Sequence, residues 1–121
     1  LIRDMPAGSS ISYGRTFITP RPMRIATLTA GYADGYPRHL SNRDAAVLVG
    51  AKRCALLGRV TMDLMMIDVS DVRDVDVGEE AVLMGRQGSE EISATELAER
   101  AGTITWEITT RVGSRVRRVY I

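Results

Sequence analysis

Hydrophobic and polar positions alternate in short runs along most of the chain. Each run is rich in apolar or β-branched residues and is followed by glycine or by polar turn residues, a pattern typical of strands. The pattern predicts seven strands, at residues 11–17, 24–30, 46–49, 54–60, 64–69, 81–85 and 115–121. Strands of this number and spacing predict an all-β domain that forms a closed or nearly closed barrel.

One stretch, residues 93–100, has the spacing of a short helix. Ser93 can cap its first turn while Glu96 reaches back to form a capping box, and Gly102 follows its end. The adjoining residues 103–110 are compatible with either a strand or a short helix.

The domain itself is expected to cover residues 10–121. Residues 1–9 contain Pro6 and Gly8 and are predicted to be an irregular lead-in from a preceding domain, because Leu1 is not an initiator residue.

Composition narrows the possible functions. The chain has 121 residues, enough for one domain, and its 16 Lys and Arg nearly balance its 15 Asp and Glu. A net charge of +1 gives no reason to expect a nucleic-acid or anionic membrane partner, and none is predicted. No apolar run approaches the roughly 20 residues needed to span a bilayer. A single cysteine, Cys54, permits no internal disulfide, so a reducing cytoplasm is the expected location.

The chain is poor in residues that usually carry catalysis. Lys52 is the only lysine and His39 the only histidine. Lys52 lies in a predicted turn and is interpreted as a solvated side chain. The aspartates of residues 70–78 lack the ligand order of a calcium loop, so no metal site is predicted.

Four polar clusters remain as candidates for chemistry. Each has a structural interpretation when taken alone, as a packed tyrosine, a tight turn, a surface ion pair and a tryptophan anchor. They are Ser12-Tyr13-Gly14, residues 31–38 with Tyr32 and Arg38, residues 58–63 with Arg59 and Met62, and residues 102–108 with Ile104 and Trp106.

In their order and spacing these clusters resemble the C-terminal domain of alanine racemases. The similarity runs from about residue 10 to residue 121. Its pieces are Ser12-Tyr13-Gly14-Arg15-Thr16-Phe17, Gly31-Tyr32-Ala33-Asp34-Gly35, Gly58-Arg59-Val60 with Met62-Asp63, Gly85-Arg86-Gln87-Gly88, Gly102-Thr103-Ile104, and Arg115-Val116-Arg117-Arg118-Val119-Tyr120.

The resemblance implies a two-base racemisation of L- and D-alanine that depends on pyridoxal 5′-phosphate. In that family the cofactor is bound to a lysine of an N-terminal α/β barrel, and the second base is a tyrosine from the other subunit of a homodimer. That tyrosine corresponds to Tyr13, expected here on a rigid strand, with Arg59 as a candidate cation beside it. The fragment alone is then expected to be inactive. The parent enzyme would be cytoplasmic and would supply D-alanine for peptidoglycan.

The same resemblance implies roles for six further residues. Met62 matches the position whose backbone N–H binds the substrate carboxylate. The substrate entrance corresponds to Tyr32, Arg38, Arg59 and Ile104. Trp106 lies in the vicinity of the cofactor phosphate, where the family usually has a tyrosine.

Some positions depart from the family pattern. Thr61 replaces a common cysteine, Leu64 a common glutamine, and Trp106 the tyrosine, which leaves serine or a broader set of amino acids open as substrates. The family's domain also takes a short strand from the extreme N-terminus, which this chain lacks. One sheet edge is therefore expected to self-associate or to be covered irregularly by residues 1–9.

Two other classes of function stay open at this point. One is a β-barrel module that binds nucleic acid or protein through the arginines of residues 111–118, although the acidic stretch 63–80 offsets their charge. The other is a regulatory or assembly domain of a longer protein that is not a racemase.

Overall fold

The computed structural model describes every residue, Leu1–Ile121, and consists mainly of strands with two short helices near the C-terminal end. This confirms the prediction of a mainly β domain and adds a second helix to it. The elements are β1 Ile2–Met5, β2 Ser10–Ile11, β3 Phe17–Ile18, β4 Met23–Leu28, β5 Ala46–Val49, β6 Lys52–Leu57, β7 Met65–Asp68, β8 Ala81–Val82, β9 Gly85–Gln87, β10 Glu90–Ile92, α1 Ala94–Ala101 and α2 Thr105–Thr110.

Six strands form one antiparallel sheet in the order β1-β4-β7-β6-β5-β8. The pairs β2–β3 and β9–β10 form two small separate sheets. Because β1 and β8 pair with no further strand, the six strands do not close into a hydrogen-bonded barrel.

The main core lies between the sheet and the helices. Its most deeply buried members are aliphatic side chains of β5, β7 and the adjoining loops, among them Leu40, Val47, Leu48, Met65 and Ile67. Burying one such side chain stabilises the fold by about 1.5–3 kcal/mol. These contacts hold the strands whose connecting loops carry the polar clusters.

The helix α1 begins and ends as its sequence predicts. Ser93 Oγ accepts a hydrogen bond from the Glu96 N–H at 3.0 Å, and Gly102 ends the helix in the left-handed conformation with φ 74°. The carboxylate of Glu96, however, accepts two hydrogen bonds from Arg53, at 2.7 and 3.0 Å. Because charge-assisted bidentate pairs are strong, the second half of the predicted capping box is replaced by this ion pair.

The prediction of an irregular lead-in at residues 1–9 is wrong. Ile2–Met5 forms β1, which pairs with Met23–Ala26 of β4. The free edge of β4 supplies the backbone partners, so even a short segment gains hydrogen bonds by pairing with it. The edge that was expected to be irregularly covered is covered by a regular strand.

Two predicted strands are also corrected. The segment 11–17 is interrupted by a 3-10 turn at Tyr13–Arg15, where Ser12 and Gly14 have φ of 63° and 76°. Residues 115–121 form no strand, because no neighbouring backbone pairs with them; Tyr120 and Ile121 are exposed. The ambiguous segment 103–110 contains α2.

Neither helix of the structure has the length and apolar character that crossing a membrane requires.

Candidate active site

Tyr13 is presented to solvent by a turn and not by the strand predicted for it. Its side chain is 47% exposed. The Ser12 hydroxyl joins the turn to the loop after β6, because it donates a hydrogen bond to the carbonyl oxygen of Arg59 at 3.0 Å. At Gly14, with φ 76°, a side chain would be strained and its Cβ would lie 3.1 Å from the Arg59 guanidinium carbon. The Ser12 contact thus joins the turn to the backbone of Arg59, and glycine at position 14 leaves room for the Arg59 guanidinium.

Two arginines contact the Tyr13 phenol. Arg38 Nη2 donates a hydrogen bond to the phenolic oxygen at 3.1 Å, and the Arg59 guanidinium lies over the ring face, 5.4 Å from its centroid. Arg38 thus approaches the oxygen, while Arg59 faces the aromatic surface. The Arg38 bond uses a lone pair of the oxygen, which leaves the phenolic O–H free to donate elsewhere.

The loops that carry these two arginines are joined by one hydroxyl. Ser41 Oγ donates to the Arg38 carbonyl oxygen at 2.6 Å and accepts from the Val60 N–H at 2.9 Å. Nothing in the sequence pattern singles out Ser41, because its two partners lie 3 and 19 residues away. The contact couples the position of Arg38 to that of Arg59.

Tyr32 and Met62 are brought together by backbone contacts. The Tyr32 N–H donates to the Thr61 carbonyl oxygen and the Ala33 N–H to the Met62 carbonyl oxygen, both at 3.0 Å. Gly31 permits this approach, because a Cβ on it would overlap the carbonyl groups of residues 61 and 62. The Met62 N–H donates no hydrogen bond within the chain, and Met62 is 53% exposed. This amide is therefore available to an external acceptor.

Arg115 links the two loops that pack together at Gly31 and Met62. Its guanidinium lies 3.0 Å from the Asp34 carboxylate and 2.7 Å from that of Asp63. Asp63, foremost, and Asp34 raise the pKa of Arg115. Asp34 also accepts from the Gly31 N–H at 2.9 Å. The sequence predicts no role for Arg115, because its partners Asp63 and Asp34 lie 52 and 81 positions away along the chain.

Ile104 and Trp106 lie on a separate element. Ile104 occupies the N-cap position of α2 without a side-chain hydrogen bond, and Trp106 lies in the first turn; the two residues are 63% and 75% exposed. No hydrogen bond or ion pair joins either side chain to Tyr13. The structure therefore brings Tyr13 together with Arg38 and Arg59, and Tyr32 with Met62, whereas the α2 residues are exposed without contributing to those contacts.

The single lysine of this chain lies far from the Tyr13 cluster. Lys52 is the first residue of β6 and Arg59 lies beyond its last residue, so the two are separated by at least about 17 Å along the strand. The Lys52 ammonium group instead donates to the Asp71 carbonyl oxygen at 2.9 Å. The structure also contains no group of three or more His, Cys, Asp or Glu side chains placed to hold a metal ion.

The arginines of residues 111–118 do not form a free basic stripe. Arg111 pairs with Glu107 at 3.2 Å, Arg115 bridges two aspartates, and Arg118 donates to the carbonyl oxygens of Val112 and Gly113. Arg117 makes no ion pair, so three of the four guanidinium groups are engaged within the chain.

Comparison with known proteins identifies a consistent set of relatives. Residues 1–120 match the family described as "Alanine racemase, C-terminal domain". An alanine racemase of Symbiobacterium thermophilum is 57% identical over 120 residues, which cover 99% of this chain and 32% of that protein. The chain thus spans about a third of the length of the curated relatives it matches.

Solved structures agree with the sequence comparison. The chain is similar to the alanine racemase of Bacillus anthracis with bound L-Ala-P, at 46% identity and a TM-score of 0.88, covering 96% of this chain and 29% of that one. It is also similar to the alanine racemase of Bartonella henselae with covalently bound pyridoxal phosphate, at 31% identity and a TM-score of 0.86, covering 99% and 32%.

Proposed function

Since this chain belongs to the alanine racemase C-terminal domain family, we propose that it serves as the C-terminal domain of an alanine racemase, an isomerase that interconverts L-alanine and D-alanine. The observation that carries the proposal is the exposed Tyr13 phenol, hydrogen-bonded by Arg38 and covered by Arg59. A phenol that is both accessible and oriented is what proton transfer to or from a docked substrate requires.

Tyr13 is the proposed acid–base residue of this domain. Its oxygen accepts a hydrogen bond from Arg38, so the position of the oxygen is restricted while its proton is free to move toward a substrate carbon. Racemisation needs a second base on the opposite face of that carbon, and this chain offers none beside Tyr13. We place that base, and the cofactor, in a region outside these 121 residues.

The free backbone N–H of Met62 is the proposed site for the substrate carboxylate. A backbone amide binds a carboxylate with a charge-assisted hydrogen bond and is indifferent to the Met62 side chain. Arg38 and Arg59 add positive charge near the phenol, which attracts an anionic amino acid toward the entrance formed with Tyr32 and Ile104.

The cofactor we propose for the whole enzyme is pyridoxal 5′-phosphate, which when bound withdraws electrons from the substrate and so makes its α-hydrogen removable. It is proposed to be held by a preceding N-terminal domain. In a homodimer, Tyr13 of one subunit would face the site of the other. The exposed Trp106 indole N–H is the group of this chain proposed to lie near the phosphate, as a donor of one hydrogen bond.

Alanine is the proposed substrate, with serine or a broader set of amino acids as the alternative that the residues Thr61, Leu64 and Trp106 leave open. The proposed physiological role is the supply of D-alanine for peptidoglycan in the cytoplasm. The 121 residues alone are expected to have no activity, because the lysine and the phosphate site of the cofactor lie elsewhere.

The proposal is tested on the full-length protein that contains this chain, expressed with pyridoxal phosphate. Conversion of L-alanine to D-alanine and the reverse would be followed by chiral chromatography for the wild type, Tyr13→Phe and Tyr120→Phe. Tyr120 is 89% exposed in the C-terminal tail, so its variant is the matched control.

We expect Tyr13→Phe to lose at least about 100-fold in kcat/KM in both directions, since removing a positioned acid–base group costs that much and both directions use the same proton transfer. Tyr120→Phe should retain wild-type rates. A wild-type protein without racemisation, or a Tyr13→Phe variant active in both directions, would contradict the proposal.

A further inference from the structure

Arg115 closes a ring of contacts around the Met62 peptide group. On one side of the ring, the Ala33 N–H donates to the Met62 carbonyl oxygen at 3.0 Å. On the other side, Asp63, the next residue along the chain, is held by Arg115 at 2.7 Å. Arg115 returns to the starting turn through Asp34 at 3.0 Å, and Asp34 is adjacent to Ala33. The peptide that carries the Met62 N–H is held from the other direction, because its Thr61 carbonyl oxygen accepts from the Tyr32 N–H at 3.0 Å. The backbone is therefore held on both sides of Met62, at Thr61 by the turn and at Asp63 by Arg115.

Without Arg115 the ring is open and its two carboxylates repel. Asp34 and Asp63 share one guanidinium group, which separates and neutralises them. If that group is removed, the loop after β6 keeps its two backbone hydrogen bonds to the turn, Tyr32 to Thr61 and Ala33 to Met62, but like charges on the two loops now favour separation. The direction of the Met62 N–H would then be less restricted.

The contribution of this bridge to overall stability should nevertheless be small. Arg115 and Asp63 are about half exposed, and exposed ion pairs contribute little to folding because water and salt screen them. A contact that matters little for stability can still matter for binding when it orients a single donor.

We propose that Arg115 is a positioning residue for substrate binding: by holding Asp34 and Asp63 together it orients the Met62 N–H toward the substrate carboxylate. The inference rests on the proposed function of that amide. It predicts a defect in binding carboxylates and not in the proton transfer at Tyr13.

The test uses the full-length enzyme loaded with pyridoxal phosphate and three variants. Arg115→Met removes the bridge between Asp34 and Asp63. Arg115→Lys keeps the positive charge but not the guanidinium group that contacts both carboxylates. Arg117→Met is the control, because it removes an equal charge two residues away from a side chain that makes no ion pair. KM and kcat for L-alanine would be measured together with the inhibition constant of propionate, a carboxylate that lacks the amino group.

We expect Arg115→Met to raise both KM and the propionate inhibition constant about tenfold, with kcat within about twofold of the wild type. Arg117→Met should leave all three unchanged, and Arg115→Lys should recover only a minor part of the loss. Unchanged values for Arg115→Met, or complete recovery by lysine, would overturn the proposal, since charge alone would then suffice.

If Arg115→Met fails to fold, Asp63→Asn provides the same test, because it removes one side of the bridge with little change of shape. A similar rise in both constants supports the proposal and unchanged constants overturn it. Failure of the proposed function is distinguishable: in that case the wild type does not racemise alanine, or Tyr13→Phe is fully active.

Discussion

Replacing Gly31 with alanine should destabilise this domain through one localised overlap. Gly31 has an extended φ of −160°, so alanine causes no backbone strain there. Its Cβ would, however, overlap the backbone carbonyl groups of Thr61 and Met62. The loop at residues 61–62 must therefore move away from the turn at Tyr32–Asp34.

The cost can be assembled from the contacts that this movement breaks. Two backbone hydrogen bonds join the loops, Tyr32 to Thr61 and Ala33 to Met62. Each contributes a net 0.5–1.5 kcal/mol or so, and relieving an overpacked contact typically costs about 1–3 kcal/mol. The expected loss in free energy of unfolding is thus about 2–6 kcal/mol.

Urea unfolding followed by far-ultraviolet circular dichroism measures this loss. Gly113→Ala is the matched control, because Gly113 is also free of positive φ and the nearest atom to an added Cβ, the Ala33 carbonyl oxygen, is at an ordinary 3.4 Å. The control should fall within about 0.5 kcal/mol of the wild type. A Gly31→Ala variant as stable as the control would refute the argument that the close approach requires glycine.

Two further predictions concern titrating groups. The hydrogen bonds from Arg53 are the main cause of a lowered pKa of Glu96 in the folded protein. The ion pair therefore stabilises the fold at pH values above the ordinary carboxyl pKa of about 4.3. This stabilisation is lost as the pH falls through the lowered pKa that Glu96 has in the folded protein. In thermal unfolding, the wild type should lose more stability between pH 7 and pH 3 than Glu96→Gln does, by about 1 kcal/mol. Glu99→Gln, on the same helix, should lose as much as the wild type. Equal losses in the two variants would contradict this prediction. Burial raises the pKa of the Cys54 thiol to about 11. At pH 8 Cys54 should react with a thiol reagent only as fast as the protein unfolds, and immediate labelling without denaturant would show that the thiol is not buried.

The central strands could be predicted from sequence because their own residues determine them. β5 was predicted at its observed bounds, and β4, β6 and β7 within a few residues, since the apolar positions of these strands face one core. The C-terminal segment 115–121 has the same alternation of apolar and polar residues but no adjacent strand to pair with, so the strand predicted there is not formed. β1 shows the reverse, because its pairing depends on the free edge of β4 and not on a strong pattern of its own.

The candidate site was predictable in its members but not in its contacts. Tyr13, Arg38 and Arg59 were all selected from sequence, yet the hydrogen bond from Arg38 to the phenol spans 25 positions and follows no local rule. The turn that carries Tyr13 was missed because Ser12 adopts a positive φ, which is uncommon outside glycine. Long-range ties such as those of Ser41 and Arg115 arise only when distant loops meet in three dimensions.

The two ends of the main sheet bear on how this chain behaves when it is produced by itself. β8 has only two residues and offers an incoming polypeptide almost no length to pair with. β1 is longer, but its two middle residues, Arg3 and Asp4, are exposed and charged. Short and charged borders of this kind oppose edge-to-edge stacking of sheets. The domain therefore has built-in protection against polymerising into fibrils through its own strands.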